Sequence, residues 1–129
     1  MRESLYRAKP KNSRYGDFVY GNYLTAVTKK GEKSHYIKRI EDGLLNPIEI
    51  EPESLGEETG LLDCDGNLIF ENDIVEDRGK TCVIEFDKKI AGFIVSSGSW
   101  WASFKDMVSY DLKVIGNTTY NKELLKNCS

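Results

Sequence analysis

The chain contains one histidine, His35, so a two-histidine metal site cannot form within a single copy. As a general base His35 would need a carboxylate partner, and it falls inside a hairpin-like strand, where a structural or surface role is expected. Asp63-x-Asp65-x-Asn67 offers the alternating oxygens that open a calcium loop. The positions that must hold Gly and Glu in such a loop carry Leu68 and Ile74, so turn chemistry at Asp65-Gly66 accounts for it. Asp73, just ahead of Ile74-Val75, suits capping of a turn by accepting a backbone N–H. Glu49 and Glu51 share one strand face and Glu53 follows, but hydrolysis by paired carboxylates needs a second acid across a cleft, and strand spacing does not supply one. Ser96-Ser97-Gly98-Ser99 has neither Gly-x-Ser-x-Gly order nor a Walker-type Lys-Ser/Thr pair, and reads as a flexible loop. The expectation is a chain with no catalytic set, no cofactor and no bound metal.

The remaining chemistry is that of contact. Trp100 and Trp101 are adjacent, and neighbouring strand residues point to opposite faces, so both rings cannot easily share one core. One ring is expected inside, the other at a surface or interface. Trp, Tyr and Arg dominate binding hot spots, which makes Trp100, Trp101, Tyr23 and Tyr36 the candidate partner-binding residues. A second core cluster would use the Trp pair equally well.

At 129 residues the chain is long enough for one ordinary domain, with a subdivision into 1–55 and 56–129 as the alternative. Apolar residues at 40% and charged residues at 30% exclude disorder as the overall state. Eighteen Lys and Arg against twenty-one Asp and Glu give a net charge of -3, which argues against non-specific binding to DNA or to an anionic membrane. Charge is nonetheless split along the chain: Arg7, Lys9, Lys11 and Arg14 make the N-terminal third basic, and Glu49 to Glu58 is acidic. No stretch has the ~18 apolar residues of a membrane span, and no signal-like apolar run follows Met1, so a cytoplasmic location is expected. Cys64, Cys82 and Cys128 are widely spaced with no Cys-x-x-Cys pair, as reduced thiols are.

The elements that must position these residues read as strands. Phe18 to Val27 and Tyr36 to Ile40 flank a polar, glycine-bearing break and predict a hairpin, with a turn at Glu41-Asp42-Gly43. Ile48-Glu49-Ile50-Glu51 alternates strictly, with the two isoleucines on the buried side. Leu68-Ile69-Phe70 follows the Asp65-Gly66 turn. Ile74-Val75 opens a strand that turns at Arg78-Gly79-Lys80 into Thr81 to Phe86, where Cys82, Ile84 and Phe86 share a face. Gly92 to Val95 and Leu112 to Gly116 complete the series. Helix signals are confined to Ser103 to Val108 and to Asn121 to Lys126, the latter with an Asn N-cap. Short strands with Gly-bearing turns favour a mainly β fold with a small antiparallel barrel-like, SH3-like part, extra N-terminal hairpins and one or two short helices.

With these residues in view, the chain resembles the YopX family of small proteins encoded by phages and prophages. Met1-Arg2-Glu3 with Tyr6-Arg7, Val19-Tyr20-Gly21-Asn22-Tyr23, His35-Tyr36-Ile37 and Pro52 to Gly56 sit where the family has similar segments. Thr59-Gly60-Leu61 through Asp65-Gly66 to Asp73-Ile74-Val75 resembles its central signature, and Val114-Ile115-Gly116-Asn117 with Leu124-Leu125 its closing one. Cys64 departs from a common Lys, Thr118-Thr119 from the usual ending, and Asn72 from a Gly, where a positive φ would suit Asn better than most residues. The resemblance implies a mainly β protein with a barrel-like part and carries no catalytic residue.

The functional expectation is a phage- or prophage-encoded, non-enzymatic β module that binds a protein or its own copies through strand edges or a Trp surface. The alternative is a small barrel that binds nucleic acid with its basic third, stacking bases on Tyr20, Tyr23, Tyr36 or a Trp.

Overall fold

The computed structural model describes residues 4–39, 47–98, 100–103 and 111–125, with Trp100 described by its backbone. Two compact units divide the chain, Met1–Glu57 and Glu58–Ser129. All described strand pairs are antiparallel. The helical elements among the described residues are single 3-10 turns at Ser13–Tyr15, Pro52–Ser54 and Lys122–Leu125.

In the first unit β1 (Tyr6–Ala8), β2 (Val19–Val27), β3 (Lys33–Lys38) and β4 (Ile48–Glu49) pair in the order β4-β3-β2-β1, and the start of β5 (Gly56–Leu62) pairs with β1 through Gly56 and Glu57. The hairpin of β2 and β3 forms as its β-branched and aromatic residues predict, but β3 begins at Lys33. The turn is therefore shorter than its polar sequence suggests, closed by Gly31 N–H to Thr28 O at 2.9 Å and Thr28 N–H to Glu32 O at 2.8 Å. Gly21 is the position in β2 that admits no side chain: a Cβ there would sit 2.7 Å from the Lys38 carbonyl carbon and 2.9 Å from Arg39 Cα. The close approach of two backbones is the physical reason for glycine in Val19-Tyr20-Gly21-Asn22-Tyr23.

Ile48 and Ile50 face inward as the alternation requires, and join Ala8, Val19 and Ile37 in a buried cluster. Fully burying each of these side chains contributes about 1.5–3 kcal/mol for the larger ones. Ile50 meets Pro10 in an isolated bridge, flanked by Lys11 N–H to Glu49 O at 3.0 Å and Glu51 N–H to Lys9 O at 2.9 Å. This ties the basic stretch to the acidic one. Lys11 Nζ lies 3.1 Å from Glu49 and Lys9 Nζ 3.7 Å from Glu51, both pairs partly exposed.

In the second unit the rest of β5 pairs with β6 (Leu68–Phe70). A five-stranded sheet follows from β7 (Asp73–Asp77), β8 (Lys80–Asp87), β9 (Gly92–Ser97), β10 (Trp100–Ser103) and β11 (Leu112–Asn117), in the order β10-β9-β8-β7-β11, a meander of four strands with β11 returning beside β7. This half-barrel is the antiparallel barrel-like part expected of the sequence. Ile69, Val75, Cys82, Ile84, Val95 and Leu112 form its buried core, with Phe93 and Val114 packed against it. Two local readings change and one holds. Ser96 and Ser97 are strand residues paired with Trp101 and Trp100, because the ladder to β10 satisfies their backbone groups, so the serine-rich loop is shorter than expected. Asn121 does not cap its own turn; its Oδ1 accepts the Asn117 N–H at 3.1 Å, and the missing Cβ of Gly116 makes room for it. Asn72 adopts φ 74°, the left-handed geometry that a Gly would have taken without cost. The expected turn at Glu41-Asp42-Gly43 and the helix from Ser103 onward lie outside the described residues, apart from Ser103 itself, which ends β10.

Candidate functional site

The candidate residues fall into both units. In the first, register fixes their faces: Tyr23 pairs with Ile37, and Tyr36 with Leu24 and Glu49. Tyr23 and Tyr36 therefore project from opposite faces of the β2–β3 pair and cannot form one contact surface. Tyr23 is half-buried and packs on the first unit's core. Its Oη lies 2.6 Å from His35 Nδ1, the two rings are parallel within 4°, and Tyr6 adds a third ring 5.7 Å away. The lone histidine is thus engaged by a phenol, which cannot act as the carboxylate of a proton relay. Beside it Ser4, Tyr6, Asn22 and Tyr23 line a shallow depression of roughly 320 Å³.

In the second unit Trp101 stands opposite Ser96 on β10, and its ring is 53% exposed. Trp100 stands opposite Ser97, and its side chain lies outside the description. Among the described residues β10 has a strand neighbour on one side only, β9, so Trp101 sits on a sheet edge. Ala102 and Ser103, which continue the strand, are half-buried.

Two of the acids that stand out in the sequence, Asp63 and Asp73, accept backbone hydrogen bonds. Asp63 is 4% exposed. Its Oδ1 accepts the N–H groups of Asp65 at 2.9 Å and Asn67 at 2.8 Å, and its Oδ2 accepts the Val114 N–H at 2.9 Å. Burial pushes the carboxyl up, but the donors at Val114, Asn67 and Asp65, joined by the Asn67 amide, together outweigh it and hold the group below its ordinary value. A calcium ion would have to compete with those donors. Asp73, nearly fully buried, accepts the Phe70 N–H at 2.8 Å, the capping role its position predicts. The reach of Asp63 to β11 was not visible in the sequence, because nothing local pairs residue 63 with residue 114. Among the described residues no three His, Cys, Asp or Glu side chains converge as metal ligands would.

The sequence also places Phe86 on one face with Cys82 and Ile84, which the structure makes the core face. Phe86 is on that face but remains 45% exposed, and Ile90 in the turn beyond it is 44% exposed. The signal lay in the sequence: Phe86 is the last apolar residue before the polar run Asp87-Lys88-Lys89, where a strand leaves the layer that covers it.

The architecture defines a class of small, mainly β proteins built from two antiparallel sheets, one of them a half-barrel. Within that class the chain belongs to the YopX protein family, whose model matches residues 5–126. It is similar to the crystal structure of protein YopX from Bacillus subtilis, with a TM-score of 0.58, 16% identity and coverage of 100% of both chains. At that identity the likeness is one of fold. No curated protein matches the chain.

Proposed function

We propose that this chain is a non-catalytic, phage- or prophage-encoded module that acts in the host cytoplasm by protein contact and assembles with its own copies through the β10 edge. The observation that carries the reading is Trp101, a large aromatic ring 53% exposed on a strand with a described neighbour on one side. An edge strand presents backbone donors and acceptors to an incoming strand, and an exposed Trp beside it supplies the apolar anchor such contacts rely on. Sedimentation at micromolar concentration tests it. The wild type should sediment above the monomer and Trp101→Ser should shift it back. A strict monomer at every concentration, together with no partner captured from host lysate, rejects the reading.

The nucleic-acid alternative draws on Tyr20, 44% exposed in the basic third. Against it, Lys9 and Lys11 are engaged by Glu51 and Glu49, and Tyr23 is committed to His35 and the core. Those contacts leave fewer cations to displace counterions from a phosphate backbone. Retention of a single-stranded oligonucleotide that falls steeply with salt would favour it; no retention at low salt dismisses it.

A further inference from the structure

The β8–β9 hairpin ends in a tip with its own chemistry. Phe86 follows Cys82 and Ile84 on the core face, both fully buried, yet it emerges past the layer that covers them. It is paired with Phe93 across the ladder, the rings meeting edge-on at 5.5 Å and 78°. Phe93 packs against the second unit's core, so the aromatic pair is anchored on one side and open on the other. Ile90, 44% exposed, stands in the turn that joins the two strands.

Lys88 and Lys89 stand exposed in the turn between them, and neither has an ion-pair partner among the described residues. The two nearest acids do not neutralise them. Asp87 turns its Oδ1 to the Lys89 backbone N–H at 2.7 Å, and Glu85 pairs with Ile94 on the opposite face from Phe86. The turn is held in shape by that hydrogen bond and by Ala91 at φ 52°. A fixed loop therefore displays adjoining apolar and cationic groups, although the chain as a whole is acidic. Exposed large apolar side chains that cluster are the ones that mark contact sites.

We infer that this tip docks an acidic, apolar segment of a protein partner, with Phe86 and Ile90 receiving its apolar side chains and Lys88 and Lys89 pairing with its carboxylates. Charge complementarity selects that partner over a basic one, and a contact of this kind loses little entropy because the turn is already ordered. The inference goes beyond the β10 surface and does not rest on it. Ser96, opposite Trp101, is three residues along β9 from Phe93, roughly 10 Å at strand spacing, and on the other face.

A random 16-residue peptide display library, selected on the full chain at low salt, tests the assignment. The expected result is enrichment of sequences rich in Asp and Glu interleaved with Phe, Leu or Trp. A synthetic peptide of the recovered consensus should bind Trp101→Ser like the wild type. It should lose about tenfold or more in affinity for Lys88→Glu/Lys89→Glu and for Phe86→Ser, the scale of losing one hot-spot contact. The lysine variant changes only exposed turn residues, so it keeps the test informative if Phe86→Ser fails to fold. Basic or neutral consensus sequences, no enrichment, or equal binding by the lysine variant would each overturn the inference. So would binding of the wild type to phosphatidylserine vesicles without peptide enrichment, which would assign the tip to a lipid surface.

Discussion

Replacing Asp63 gives the sharpest test of how the second unit holds together. Its carboxylate satisfies three backbone N–H groups, and one of them, Val114, lies on β11, 51 residues away. In Asp63→Ala all three lose their acceptor. A buried donor left unsatisfied costs about 1–3 kcal/mol, and water regains access to part of the exposed turn, so a loss of about 3–5 kcal/mol is expected. Asp63→Asn keeps an oxygen for Asp65 and Asn67 but turns an NH2 group toward the Val114 N–H, which puts its cost at about 2–3 kcal/mol. Urea unfolding followed by far-UV circular dichroism measures both. With a slope near 1.5 kcal/mol/M, the alanine variant should move the midpoint down by about 2 M or more. The acid limb separates the charge from the geometry. The folded pKa of Asp63 lies below its unfolded value, so the stability it contributes is complete above about pH 4 and is lost as pH falls through the folded pKa. The asparagine variant should lack that part of the acid destabilisation. A midpoint shift under about 0.3 M in the alanine variant, or an unchanged acid limb in the asparagine one, refutes the reasoning.

Three further outcomes follow from the geometry. Gly21→Ala forces a methyl group against the Lys38 backbone and should cost about 2 kcal/mol or more, read as a lower melting temperature with β3 amides exchanging faster by NMR. At Asn72, φ 74° predicts that Gly is neutral or slightly stabilising, whereas Val loses about 1–2 kcal/mol, measured by the same urea titration. Desolvation and the nearby charges of Asp65 and Asp63 raise the Cys64 thiol, so at pH 7 it should react with a maleimide more slowly than free cysteine; buried Cys82 should react only on unfolding.

Strand alternation made most of the architecture legible. Ile48 and Ile50, Cys82 and Ile84, and the apolar side of β11 face inward as their spacing requires. Three features escaped it. The three-residue strand β1 is too short to show a period, and its existence depends on pairing with β2 and β5. The acidic segment near Glu57, where the two units divide, does not read as a strand, yet residues 56–62 form one, because ladder hydrogen bonds outweigh poor β propensity. Asp63 looked like local turn chemistry, and its third hydrogen bond is set by tertiary folding. For the candidate residues, sequence implied an exposed aromatic at the Trp pair and Trp101 is one, but it could not separate Tyr23 from Tyr36, whose opposite faces follow only from register.

The pairing of residues 9–11 with residues 49–51 bears on how this polypeptide is made. Lys9, Lys11, Glu49 and Glu51 exchange backbone and side-chain contacts, and Ser54 Oγ accepts the Lys9 N–H at 2.7 Å across 45 residues. Such distant closures are slow to form, since the intervening chain must first surrender its freedom. On a ribosome, residues 9–11 therefore wait for their partners until positions 49–54 have left the exit tunnel, while the β1–β2 and β2–β3 pairs need only neighbours already synthesised. For this one segment, being made early does not mean being closed early.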